Sequence, residues 1–115
     1  MKRESVNPLK ALGDSSRIRI LKMLEQRDLC VCEVREVLQL SNSTVSKHLS
    51  ILRTADLITD SKDGKWVNYR LNKKSENPLV RSLLELMANS FQDDNAVCED
   101  RKNLRRAHRN KICGL

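Results

Sequence analysis

Between Ser41 and Ala55 the chain carries Val45, Leu49 and Leu52 at i, i+4 and i+7, a spacing that sets three apolar side chains on one face of an α-helix. Ser41 reads as the N-cap of that helix. Its opposite face holds Ser43, Ser46, Lys47 and Ser50, where an ordinary exposed helix would carry Glu and Lys four residues apart. Small hydroxyls and one cation let such a helix lie close against another surface. Two readings fit this face taken alone: a serine-rich helix in a plain bundle, or a helix built to enter a groove.

The neighbouring segments favour the groove. Asn7-Pro8 opens a short helix ending at Gly13, and Asp14 or Ser15 caps a second, with Ile18, Leu21 and Leu24 recurring beside Ile20 and Met23 as core positions. A third short helix holds Val34, Val37 and Leu38, with Glu33 and Glu36 near its start, and Leu40-Ser41-Asn42 turns out of it. Two helices joined by a tight turn, the second presenting Ser, Thr and Lys near its N-terminus, form a helix-turn-helix pattern. Ser and Thr hydroxyls bond phosphates or base edges, and Lys47 reaches a phosphate or a guanine. Downstream, Leu57-Ile58-Thr59 and Trp66–Leu71 are β-prone and flank Asp63-Gly64, a strong hairpin signal, with Lys62 and Lys65 at the tip. A hairpin directly after a recognition helix is a wing. Asn77-Pro78 then opens a last helix from about Leu79 to Phe91, with Leu79, Leu83, Leu86 and Met87 on one stripe that Leu84 and Phe91 widen. A dimer interface is a natural place to bury that stripe, and the alternative is the chain's own core. A two-fold protein would set two recognition helices about one DNA turn apart.

Composition agrees with this mostly helical reading. The 115 residues are 39% hydrophobic and 32% charged but only 3% aromatic, which favours Leu, Val and Ile helices over an aromatic β-sandwich. No apolar run is long enough for a membrane span and no signal segment follows Met1, so the expectation is a soluble, cytoplasmic protein. The net charge of +7 is uneven: +4 over residues 41–75, −5 over 76–100 and +6 over 101–115. Basic zones of this kind are footprints of phosphate-bearing partners, though a solvated surface fits the charge alone equally well. Residues 1–95 read as one DNA-binding and dimerisation domain and 96–115 as a basic tail, in which Arg101, Lys102, Arg105, Arg106, Arg109 and Lys111 either form a frayed basic helix that strengthens DNA binding non-specifically or are simply solvated.

Three segments resemble the ArsR/SmtB family of metal-responsive winged-helix repressors. They are the opening, Leu9–Leu21, the recognition helix, Ser43–Arg53, and the wing, Asp63–Tyr69. The resemblance runs over roughly residues 8–92. It implies a homodimer that covers double-stranded operator DNA and leaves it when an inducer binds, with Ser43, Thr44, Ser46, Lys47, His48, Lys62 and Lys65 as the DNA-binding residues. His48 either packs beside Val45 and Leu49 or touches DNA. An enzymatic reading ranks last, because no phosphate-cradling Gly-rich loop is present and His48 and His108 are the only histidines.

Cys30-Val31-Cys32 bears on the inducer. Two thiols so close suit a soft ion, since thiolates select thiophiles over hard cations. On an ideal helix, however, residues i and i+2 point about 200° apart and cannot chelate one ion, so the first turn of the third helix must be non-helical or become so. A helix N-terminus would also favour thiolate. The plain alternative is that both are small buried apolar residues. Within the family, the string resembles the thiophilic motif of the arsenite sensors. That implies Cys30 and Cys32 as metal ligands and trivalent arsenic or antimony as inducer, with a cadmium or lead sensor and a thiol redox switch as alternatives. Some arsenite sensors carry a further Cys where this chain has Arg35, so a third sulfur would have to come from elsewhere. Cys98 and Cys113 are the candidates, and uninvolved tail thiols the competing reading. The family's zinc-type site needs acidic and His ligands on the last helix, and the only histidines of this chain are His48 and His108, which excludes it.

Overall fold

The apolar stripe of residues 45–52 does become the centre of the core. In the computed structural model, which describes residues 1–107, helix α4 spans Asn42–Thr54 and Val45, Leu49 and Leu52 are fully buried. Burial of each such side chain contributes about 1.5–3 kcal/mol. The Ser41 hydroxyl accepts the Thr44 N–H at 3.2 Å and caps the helix. Before it, a 3-10 turn (Arg3–Val6) leads into α1 (Asn7–Ala11), with Pro8 in its first turn, and α2 (Ser15–Leu24), capped by Asp14 Oδ1 on the Arg17 N–H at 3.0 Å. Helix α3 (Val31–Leu38) ends at Gln39, whose left-handed φ of 56° turns the chain sharply into α4. Helices α3 and α4 pack together as the helix-turn-helix pair.

Strands β2 (Ile58–Asp63) and β3 (Trp66–Leu71) make the wing, paired from Ile58↔Leu71 to Asp63↔Trp66. This register makes Gly64 and Lys65 the two turn residues, with Gly64 at φ +63°, so the turn is shifted one residue on from Asp63-Gly64 and Lys65 sits within it. Strand β2 runs four residues past Thr59, because hydrogen bonding to β3 holds Asp60, Ser61, Lys62 and Asp63 extended despite their polarity. A third strand, β1 (Leu29–Cys30), adds to the far edge of β3 and gives the order β1-β3-β2. At the root of the wing Asp56, at φ 68°, holds the two ends together: Asn72 Nδ2 donates to its carbonyl and its carboxylate, both at 3.0 Å, and Ser75 donates to the other carboxylate oxygen.

Helix α5 (Pro78–Ala88) is capped by Asn77 and is shorter than its apolar stripe suggested. Asn89 and Ser90 turn their side chains back to the Glu85 and Leu86 carbonyls, and Phe91 takes a left-handed φ of 62°. The stripe divides. Val80, Leu83, Leu84 and Met87 are buried within the subunit, whereas Leu86 and Phe91 face outward with Leu9 of α1. Of the α2 residues read as core, Ile20, Leu21, Met23 and Leu24 are buried, while Ile18 is only half-buried. Lys22 is buried too, its Nζ donating to the Met87 carbonyl at 2.6 Å and pairing with Glu25 at 2.8 Å.

The segment read as a basic tail contains a further helix, α6 (Asn95–Arg106), which packs on α2 and α3. Val97, Leu104 and Ala107 are buried, and Arg19 of α2 grips the buried Asp100 through two hydrogen bonds of 2.7 Å. His108, Arg109, Lys111 and Cys113 lie outside the described residues. Among the described residues no helix is long and apolar enough to cross a membrane.

Candidate nucleic-acid interface and thiol site

The face of α4 away from the core presents Ser43, Thr44, Ser46, Lys47 and Ser50, all exposed. With Val45, Leu49 and Leu52 locked inward, the 3.6-residue period leaves these side chains no other direction. His48 is half-buried at the edge of this face, with Nδ1 3.4 Å from Arg17 Nη1. Arg17 is a residue the sequence reading passed over. Its Nε donates to the Ala11 carbonyl at 2.7 Å and its Nη1 lies 3.9 Å from Asp14, so it fastens the end of α1 to the start of α2 beside the recognition helix. At the wing, Lys62 and Lys65 are both exposed, and the Lys65 ammonium lies 5.9 Å from the centre of the Trp66 ring. Arg53 of α4 pairs with Asp60 of β2 at 3.0 Å, tying the recognition helix to the wing. One surface thus offers a helix of hydroxyls and a lysine with a cationic hairpin beside it.

The two cysteines of the Cys30-Val31-Cys32 string lie at the other end of α3. Cys30 is both the last residue of β1 and the N-cap of α3, with extended backbone (φ −92°, ψ 168°), while Cys32 sits in the first turn of the helix, half-buried. The pair therefore straddles the helix start, and the 200° separation of an ideal helix does not apply to it. Cys30 and Glu33 form a capping box: the Cys30 side chain accepts the Glu33 N–H, and Glu33 Oε1 accepts the Cys30 N–H at 3.0 Å. The sequence signal was present as Cys30-x-x-Glu33, with sulfur in place of the usual hydroxyl.

The expected lowering of the Cys30 thiol by the helix N-terminus is not what the structure gives. Cys30 is 3% exposed, and burial pushes its pKa up, with the adjacent Glu33 carboxylate acting in the same direction. These outweigh the N–H groups of the first turn. For Glu33 burial acts upward as well, yet the Cys30 N–H and the Arg27 guanidinium hold its carboxyl below the ordinary value. Arg27 Nη1 reaches Glu33 Oε2 at 2.6 Å.

Among the described residues no three His, Cys, Asp or Glu side chains converge as a metal-binding group. Cys98 lies in the first turn of α6 and donates to the Gln92 carbonyl at 3.4 Å. The part of α6 near the Cys30 cap is its other end, where Arg27 meets the Leu104 carbonyl, six residues or about 9 Å along the helix. Within one subunit Cys98 is not brought to the pair.

A helix-turn-helix followed by a β-hairpin, with hydroxyls and cations on one open face, defines a winged-helix DNA-binding transcriptional regulator and not an enzyme. Residues 14–60 match the family of bacterial regulatory proteins of the arsR type. The chain is 36% identical over 97 residues to the arsenic resistance transcriptional regulator ArsR1 of Pseudomonas putida, an alignment covering 81% of this chain and 72% of that protein. It is 44% identical over 64 residues to the arsenical resistance operon repressor of Escherichia coli K12, covering 55% of each chain, so it spans little over half the length of that relative. Among solved structures, reduced HlyU from Vibrio cholerae superposes with a TM-score of 0.63 at 32% identity, covering 77% of this chain and 90% of that one. This chain belongs to the arsR family.

Proposed function

We propose that the protein is a homodimeric repressor that holds double-stranded operator DNA until a thiophilic inducer, trivalent arsenic or antimony, binds Cys30 and Cys32. The observation that carries the inducer site is the placement of Cys30 at the N-cap of α3, with Cys32 in the turn that follows. In the reduced protein the donor set suits a soft ion, because both donors are cysteine sulfurs. Each S–As bond displaces one hydroxide of arsenous acid, which leaves as water with the thiol proton, so no oxidant or reductant is needed. Helix α3 packs directly on α4, so a change in α3 is carried to the recognition helix. Arsenical resistance in the P. putida and E. coli relatives supports a metalloid inducer here.

On the DNA side, Ser43, Thr44, Ser46 and Lys47 read the groove, His48 flanks them, and Lys62 and Lys65 meet phosphate. The outward Leu9, Leu86 and Phe91 supply apolar surface for the dimer. The deciding experiment titrates arsenite into the fully reduced protein on labelled operator DNA. Cys30→Ser and Cys32→Ser should keep the parent's operator affinity within about threefold and lose release by arsenite. Release of the double variant at the parent's arsenite concentration would remove the site. Release by peroxide and not by arsenite would replace the inducer with oxidation.

A further inference from the structure

We propose that Glu33 and Arg27 are positioning residues that carry the state of the Cys30 cap to the C-terminal end of α6. This rests on the reading of Cys30 as an inducer ligand. The Glu33 carboxylate is 4% exposed and fully engaged: Oε1 accepts the Cys30 N–H at 3.0 Å, and Oε2 accepts Arg27 Nη1 at 2.6 Å. The other terminal nitrogen of Arg27, Nη2, donates to the carbonyls of Leu104 at 3.1 Å and Ala107 at 3.0 Å. An unbroken line of hydrogen bonds therefore runs from residue 30 to residue 107, joining the segment 27–33 to the end of α6 far away in the chain.

Each link needs the others. The last carbonyls of a helix have no partner within it, and Arg27 supplies one for the end of α6. A guanidinium is a rigid planar fork, so it serves a carboxylate on one side and two carbonyls on the other only while that carboxylate is held in place. Glu33 is held by the N–H of Cys30, a backbone group of the thiol-bearing residue itself. In the reduced protein, drawing the sulfurs of Cys30 and Cys32 onto one atom turns the backbone between them, and a turn there takes the Cys30 N–H away from Oε1. Arg27 then loses its anchor and α6 its C-terminal cap. The end of α6 carries Arg105 and Arg106, both exposed, so its release moves positive charge as well as packing.

Amide hydrogen exchange at residues 104–107, with and without arsenite in reducing buffer, tests the relay alongside arsenite stoichiometry by mass spectrometry. In the parent, arsenite should speed exchange there at least tenfold. In Arg27→Met, exchange should already be fast without arsenite and should not respond to it, while one arsenic per subunit still binds. Glu33→Gln, which keeps an acceptor for the Cys30 N–H and weakens only the link to Arg27, should show the same loss of response. Parent exchange at 104–107 that ignores bound arsenite, or a full arsenite response in both variants, would overturn the relay while leaving the Cys30 site standing. Failure of the parent to bind arsenite would overturn that assignment and the relay with it.

Discussion

Lys47 and Ser46 stand one residue apart on the open face of α4, and the proposed interface gives them different kinds of contact. Lys47→Ala should weaken operator binding and lower the slope of affinity against salt by about one, as loss of one phosphate contact requires. Ser46→Ala should cost about 1 kcal/mol with the slope unchanged, the signature of a lost neutral hydrogen bond. Fluorescence anisotropy at several salt concentrations distinguishes them. At the start of α2, Asp14→Ala should cost about 1 kcal/mol as a lost N-cap. The N–H of Arg17 holds the Asp14 carboxyl below its ordinary value. The cap's contribution is therefore fully present above the unfolded-state pKa and is lost as pH falls through the lower folded value. Thermal melts of parent and variant at neutral and acid pH should converge at the acid end. Caps such as Ser41 and Asp14 were legible in the sequence because capping is local chemistry. The raised Cys30 thiol was not, since burial is set by β3 and the helices around it.

Among the elements, α4 and the wing form one unit, joined by Arg53 to Asp60 and at the root by Asp56, Asn72 and Ser75. Lys62→Ala and Lys65→Ala should weaken binding to operator and to unrelated DNA alike, because cations at a hairpin tip meet phosphate and not base edges. Competition with non-cognate duplex checks this: a changed ratio of cognate to non-cognate affinity would mean that the wing reads sequence. The hairpin was legible from Asp63-Gly64 and from β-prone residues on either side. Its register, and with it the place of Lys65 in the turn, came from pairing with β3. Strand β1 left no signal, because two residues, Leu29 and Cys30, are too few to show a period.

For the whole molecule, the decisive contact is that of α6 with α2 and α3. Asp100→Ala leaves the Arg19 guanidinium without its buried partner and should destabilise the fold by about 3 kcal/mol, measured by urea unfolding. Truncation after residue 98 removes Asp100, Leu104 and Ala107 together, and should leave a protein that melts early and binds operator poorly at 37 °C. A truncated chain as stable as the parent would show that α6 is dispensable. The amino-acid sequence by itself determined the helix-turn-helix, the wing and the open face of α4, because each depends on spacing within about fifteen residues, where side-chain period and turn chemistry are decided. Only the tertiary structure decided that the basic C-terminal stretch begins as a packed helix, and that Arg27 joins Glu33 to its end. Val97 and Leu104 are too sparse to announce an apolar face. The energy that holds α6 comes from groups such as Arg19 and Arg27, some 80 residues away in the chain, which no local pattern brings together.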